Sequence, residues 1–290
     1  MVMVLSWGLG GRADTPSVPS AVTVSAAESQ PIELVEAQQA APIQVSTLDG
    51  NFCPSDLQGA IATIVNQPQF DSARWGILIE PLAEGTLLYG QRANTALIPA
   101  SNTKLLTTAA ALQVVRERNP QALGAMEERL TVVNRDSHNG YADDLLRRIG
   151  GQSAVRRVLT PLGIATDSYE QVDGSGLSRR NRATPAALVT LLKAMAAQED
   201  AADIFYRSLA VAGTSGTLRN RFRDTVVQGR LYGKTGTLNG VRALSGYLES
   251  PHYGTLVFSI LINQPGQSGA VMLRAIDQIV LQTARVTPCD

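Results

Sequence analysis

The chain has 290 residues, 44% of them hydrophobic, with a mean hydropathy of +0.01. That is enough apolar side chain to bury a substantial core as one large domain or two interleaved ones. Lys plus Arg (25) balance Asp plus Glu (25), which excludes a basic stripe for nucleic acid and an acidic tail. Two histidines, His138 and His252, and two cysteines, Cys53 and Cys289, are too few and too scattered for a metal-ligand pattern, so no metal or other cofactor is expected.

In chain order, the opening MVMVLSWGLGG is apolar but short, and Arg12 follows it instead of preceding it. It reads as the remnant of an export signal or of an anchor, a route to membrane association through the N-terminus. Residues 13–50, rich in Ala, Pro, Ser, Gln and Val without a sustained period, read as a linker. A folded domain is expected over 51–290. Cys53 and Cys289 flank it, either as a bridge pinning both ends, which implies an oxidising compartment, or as two buried thiols. Phe52 directly precedes Cys53, where a lipoprotein signal needs a small residue, which speaks against lipidation there.

SDLQGAIATIVNQ carries a Ser cap and apolar residues at Leu57, Ile61, Ile64 and Val65, predicting a first helix. RWGILIEP and TLLYG, separated by AEG, predict a β-hairpin. ALIPASNTKLLTTAAAL predicts a strong helix that starts near Ser101. From about Gln113 to Gly213 the pattern is helical: YADDLLRRIG, SAVRRVLTPLG, and TPAALVTLLKAMAAQ with Thr184 as cap and Pro185 at the first helical position. Strands return with GRLYGKTGTL, VRALSGYLES and YGTLVFSILIN, before a last amphipathic helix, SGAVMLRAIDQIVLQTAR. The expected fold is α+β: an antiparallel sheet from both chain ends (51–98 and 226–290), terminal helices on one face, and an inserted helical block (99–225) on the other. A cleft should lie between block and sheet.

Ser101 and Lys104 stand three positions apart on one face of a helix start. A serine hydroxyl is a poor nucleophile until a base takes its proton, and the helix dipole favours the developing alkoxide. Lys104 can be that base only when neutral, which requires its pKa to fall from about 10.4 to near 7–8, a cost of roughly 4 kcal/mol. Burial and a second cation would supply the shift. KTGT provides that cation in Lys234, on a strand read as an edge facing the cleft, where it could also hold an anionic substrate end. Thr235 and Thr237 would donate hydroxyl hydrogen bonds, and Gly236 would permit close backbone approach. SHN, where a loop enters a helix, adds Ser137 as a proton relay and Asn139 to orient the lysine or bind a substrate amide.

Singly these motifs are common turns and caps. Together, in this order, they form the trio that marks penicillin-binding proteins and class A β-lactamases. The chain resembles the D-alanyl-D-alanine carboxypeptidase/endopeptidase family of low-molecular-mass penicillin-binding proteins, the DacB type. The resemblance rests on IPASNTKLLTTAAAL, NRDSHNGYADDLLRRIG, DGSGLSRRNRATP, LAVAGTSGTLRNRF and GKTGTLNGVRALSGYL.

The resemblance implies a serine-type D-Ala-D-Ala carboxypeptidase. Ser101 would be acylated, Lys104 would be its base, and Ser137, Asn139 and Lys234 would complete the proton network. Backbone amides of Ser101 and Thr237 would form the oxyanion hole. It also implies peptidoglycan stem peptides as substrate, β-lactam antibiotics as inhibitors, DD-endopeptidase cleavage of cross-links as a second use of the same residues, and a periplasmic or cell-envelope location. DGSGLS, Asp173 to Ser178, reads either as a glycine turn or as a loop in contact with the cleft. β-Lactam hydrolysis ranks low, because the helical block shows no EPELN-like glutamate motif. One departure stands out: the family usually carries long inserted domains between the serine–lysine helix and the Ser-x-Asn loop, whereas here only 36 positions separate Ser101 from Ser137. A shortened, impaired member that only binds peptidoglycan or a partner is therefore the alternative.

Overall fold

Alternation along the C-terminal strands decides the architecture. In the computed structural model, which describes residues 51–83 and 87–289, strands β6 (Leu231–Leu238), β7 (Val241–Ser250) and β8 (Gly254–Asn263) form an antiparallel meander. Successive side chains leave a strand on opposite faces. On β8, Leu256, Phe258, Ile260 and Ile262 join one apolar cluster, and Val257 and Leu261 join the other. Both faces are therefore covered. Each fully buried Leu or Ile in these layers contributes roughly 1.5–3 kcal/mol.

The first of the described strands, β1 (Arg74–Pro81), pairs with β8, and the short β2 (Tyr89–Gln91) pairs with β1 at the sheet margin. The predicted hairpin is present, with its second strand starting later than TLLYG suggested. The sheet is thus assembled from both ends of the folded region, in the order β2-β1-β8-β7-β6-β5, where β5 is only Ala210–Val211.

Helices α1 (Pro54–Val65) and α8 (Gly269–Thr283) pack on one face, where Leu57 and Ile61 join Met272, Ile276 and Ile279. Cys53 and Cys289 are bridged, and beside them Phe52 and Thr287 exchange hydrogen bonds of 2.9 Å in each direction. Of the two readings left open for the cysteines, the structure selects the bridge. The assignment of residues 1–50 as an export or anchor remnant and linker lies outside the described residues.

The other face carries the helical block. Its centre is α2 (Thr103–Arg118), buried from Thr103 to Val114 on every side. Around it pack α3 (Glu127–Asn134), α4 (Asn139–Ile149), α5 (Gly151–Leu159) and α6 (Pro185–Ala196), and α7 (Ala202–Arg207) packs against α3 and α6. The Thr184 hydroxyl accepts the Ala187 N–H at 3.0 Å, which caps α6 as its sequence predicted. A two-stranded ribbon, β3 (Tyr169–Glu170) with β4 (Arg182–Ala183), brackets the segment that contains DGSGLS.

Candidate active site

Ser101 lies in a 3₁₀ turn, Ala100–Asn102, that runs straight into α2. Pro99 starts the turn, and Ala100 takes a left-handed backbone with φ 48°. That conformation is costly for a residue with a Cβ and persists only where its surroundings enforce it. The Asn102 amide supplies one such restraint, donating to Ser245 Oγ on β7 at 2.7 Å, and Ser245 and Ser259 Oγ atoms are 2.8 Å apart. Strand β6 supplies another: a Cβ on Gly236 would lie 2.6 Å from the Pro99 carbonyl oxygen. The glycine predicted to allow close approach is thus needed for the strand to lie against the serine's own turn.

Lys104, fully buried, places Nζ 3.0 Å from Ser101 Oγ, 2.8 Å from Asn139 Oδ1 and 2.5 Å from the Ser175 carbonyl oxygen. Burial lowers its pKa from the ordinary 10.5 to about 8, while the Asp143 and Asp173 charges pull it up. Lys234 is also fully buried, donating to Ser137 Oγ at 2.8 Å and to the Thr235 carbonyl at 3.0 Å. Its pKa is lowered well below 10.5, first by burial and then by the charge of Lys104. Of the two causes expected to depress Lys104, burial acts and the charge of Lys234 does not. The repulsion between the two amines falls on Lys234 instead.

Two lysine–serine pairs therefore face one another across the block and the sheet: Lys104 with Ser101, and Lys234 with Ser137. Ser137 has φ 59°, a second non-glycine residue in the left-handed region. His138 caps α4, its Nδ1 accepting the Tyr141 N–H at 3.2 Å, so Asn139 opens the helix with its amide toward Lys104. Thr235 donates its hydroxyl to Thr217 Oγ1 at 2.8 Å, Thr237 is exposed, and Gly236 is buried. Lys234 does not stand on a simple edge strand: β5 pairs with Tyr232 and Gly233, and β6 is open on that side only from Lys234 onward. A short strand stops where the chemistry begins.

Sequence reasoning left the role of DGSGLS open, and the structure shows direct contact. Ser175 supplies a carbonyl to Lys104, and Gly176, at φ 85°, lies so close to the turn that a Cβ would be 2.0 Å from the Ala100 carbonyl oxygen. Thr217 was missed altogether. Its signal is faint: a glycine-rich AVAGTSGTL ahead of the KTG strand, with Thr217 N–H bonded to the Arg135 carbonyl. Among the described residues no group of His, Cys, Asp and Glu is placed to hold a metal ion. No described helix is long and apolar enough to cross a membrane.

Chemically, the arrangement is a hydroxyl held against an amine whose pKa lies near neutrality, at the start of a helix, beside a second buried amine and a second hydroxyl. It suits acyl transfer through a serine ester. Residues 57–119 and 124–286 match the family described as D-Ala-D-Ala carboxypeptidase 3 (S13). The interruption falls in the turn after α2, between the Ser-x-x-Lys and Ser-x-Asn motifs. Over 164 residues the chain is 40% identical to the D-alanyl-D-alanine carboxypeptidase of Actinomadura sp. (strain R39), covering 51% of this chain and 30% of that protein. It spans about a third of the length of the curated relatives it matches. The fold is similar to that of penicillin binding protein 4 (dacB) from Haemophilus influenzae, solved with a β-lactam, at TM-score 0.68 and 13% identity over 78% of this chain and 99% of that one. It is also similar to a class A β-lactamase from Bacteroides cellulosilyticus, at TM-score 0.65 and 16% identity over 81% and 99% of the two chains.

Proposed function

The chain belongs to the D-Ala-D-Ala carboxypeptidase 3 (S13) family, and from that premise we propose that it is a serine-type D-Ala-D-Ala carboxypeptidase acting on peptidoglycan stem peptides. One observation carries the reading: Ser101 Oγ, Lys104 Nζ and Asn139 Oδ1 lie in a single hydrogen-bonded row inside a buried site. Neutral Lys104 takes the Ser101 proton as Oγ attacks the carbonyl of the penultimate D-Ala. The amides of Ser101 and Thr237 hold the oxyanion. Ser137 gives its proton to the departing D-Ala amine and is resupplied by Lys234, and water then hydrolyses the ester. Lys234 and the Thr235 and Thr237 hydroxyls receive the terminal carboxylate.

A β-lactam mimics the D-Ala-D-Ala end, and its ring carbonyl acylates the same serine. Asp143 and Asp173, the carboxylates that act on Lys104, hold backbone N–H groups of the DGSGLS loop, which supports a structural role for both over activation of a deacylating water, and a long-lived adduct. The same residues serve DD-endopeptidase cleavage of cross-links. A periplasmic or cell-envelope location belongs to this proposal, supported by the Cys53–Cys289 bridge, which needs an oxidising compartment to form and persist.

The test is incubation with a fluorescent penicillin and, separately, with a D-Ala-D-Ala stem peptide. Wild type should label covalently and release D-alanine, and Ser101→Ala should do neither. Equal labelling of both proteins rejects the nucleophile. Binding of stem peptide without D-alanine release selects the alternative of a shortened, non-hydrolysing member.

A further inference from the structure

Lys104 can remove a proton from Ser101 only if its lone pair, and not one of its N–H bonds, points at Oγ. A neutral primary amine has two N–H bonds and one lone pair. Of the three oxygens around Nζ, the Asn139 amide and the Ser175 carbonyl can only accept, whereas the Ser101 hydroxyl can also donate. Two pure acceptors take the two N–H bonds, and the lone pair is left for Ser101. With one acceptor removed, the amine can turn and donate to Ser101 instead, and the base is misdirected.

Asn139 comes with the Ser-x-Asn motif. What places the Ser175 carbonyl is Asp143, four residues after Asn139 and so on the same face of α4. Its Oδ1 accepts the N–H of Gly174 and of Ser175, both at 2.9 Å. The loop lies flush on the helix, for a Cβ at Gly174 would be 2.3 Å from the Ala142 carbonyl oxygen. From the other side, the Thr107 hydroxyl donates to the Gly174 carbonyl at 2.9 Å and accepts from Gln171 Nε2 at 2.7 Å. Asp173 closes the loop on itself by accepting the N–H of Gly176 and of Ser178, each at 2.6 Å.

Resting on the reading of Lys104 as base, we infer that Asp143 is a positioning residue for acylation: it holds the Ser175 carbonyl against Lys104 and thereby aims the amine at Ser101. One turn of α4 then supplies both acceptors, one directly through Asn139 and one through the loop. The Asp143 charge also supports the ammonium form of Lys104.

The experiment measures the single-turnover rate of acylation by a fluorescent penicillin from pH 6 to 10. Asp143→Ala, which removes the acceptor of the Gly174 and Ser175 N–H groups, should lower the rate about 10–100-fold, since small misplacements of a reacting group cost that much. It should also move the acid limb to lower pH, because Lys104 loses a neighbouring negative charge. A packing role alone would scale the profile down without moving the limb. Asp144→Asn, the adjacent exposed carboxylate paired with Arg147 and Arg148, should stay within twofold of wild type with its limb in place. If Asp143→Ala does not fold, Asp143→Ser carries the test. It too removes the charge and the reach to the loop N–H groups, so a slowed rate and a limb moved to lower pH are both expected. Acylation at the wild-type rate and limb in the folded variant overturns the inference while leaving the proposed function standing. A wild type that never acylates overturns both.

Discussion

On the sheet face covered by α1 and α8, the buried layer is Leu57, Ile61, Phe258, Ile260, Ile276 and Ile279. On the face covered by α2 and α6, leucines and alanines share the interior with Lys104, Lys234, Asn102, Thr107, Thr108, Asn134 and Ser245, all fully buried. The first face is an apolar layer with its ends tied by a disulfide. The second holds two desolvated amines and two left-handed non-glycine residues, Ala100 and Ser137, each costing about 1–3 kcal/mol of backbone strain. Stability and chemistry are thus divided between the sides of one sheet, and strands β6 to β8 connect them.

The largest effects should separate the faces cleanly. Lys104→Met is expected to reduce acylation by at least about 10³-fold, the upper range for loss of a general base, with the folded state retained. Ile276→Ala, on the opposite face, should lower unfolding free energy by about 2–5 kcal/mol yet leave the acylation rate per folded molecule within twofold. Denaturant titration paired with penicillin labelling reads both. Comparable rate losses in the two variants would mean that the faces are not independent.

Removing the bridge with Cys53→Ser plus Cys289→Ser comes next. The cross-link closes a loop over a sequence separation of 236 residues, so the loss should reach the upper part of the usual range, about 2–4 kcal/mol. It falls wholly on the α1 and α8 face. Calorimetry should show a lower Tm, and labelling at 25 °C should be unchanged.

The apolar face was the more legible in sequence. Leu57, Ile61, Ile64 and Val65 at helical spacing identify α1, and alternation along YGTLVFSILIN identifies β8, because one period fixes one buried side. Ser101, Lys104, Ser137, Asn139 and Lys234 were also visible, through spacing to a helix start and a late strand. What stayed hidden depends on tertiary contact. β5, β3 and β4 are two residues each, too short for any period to register. The loop from Asp173 to Ser178 reads locally as a glycine turn, and only its packing on Ala142 and Ala100 shows why glycines stand there. The desolvation of Lys104 is likewise a property of α2 being surrounded on all sides, which an alanine-rich helix does not announce.

The smallest effect follows from the two amines and locates the cost on the helical face. Lys104 titrates near 8 in the folded protein and near 10.5 when unfolded. Below pH 8 both states carry the proton, and the folded state bears the full burden of burying it. Between 8 and 10.5 the unfolded chain binds more protons than the folded one, so stability rises with pH. From pH 8 to 9.5 the gain from Lys104 is up to about 2 kcal/mol, at 1.36 kcal/mol per unit. Lys234 shifts in the same direction, through burial and the charge of Lys104, and adds to the same rise. The trend ends near pH 10, where unfolded tyrosines ionise while burial keeps Tyr206 and Tyr247 neutral in the folded state, and stability falls again. Urea unfolding at fixed pH values should trace this rise in wild type. Lys104→Met should reduce its slope between 8 and 9.5, and Lys104→Met with Lys234→Met should remove what remains. A rise that survives in the double variant would place the strain elsewhere than at the paired amines, and the division of labour between the two faces would fail.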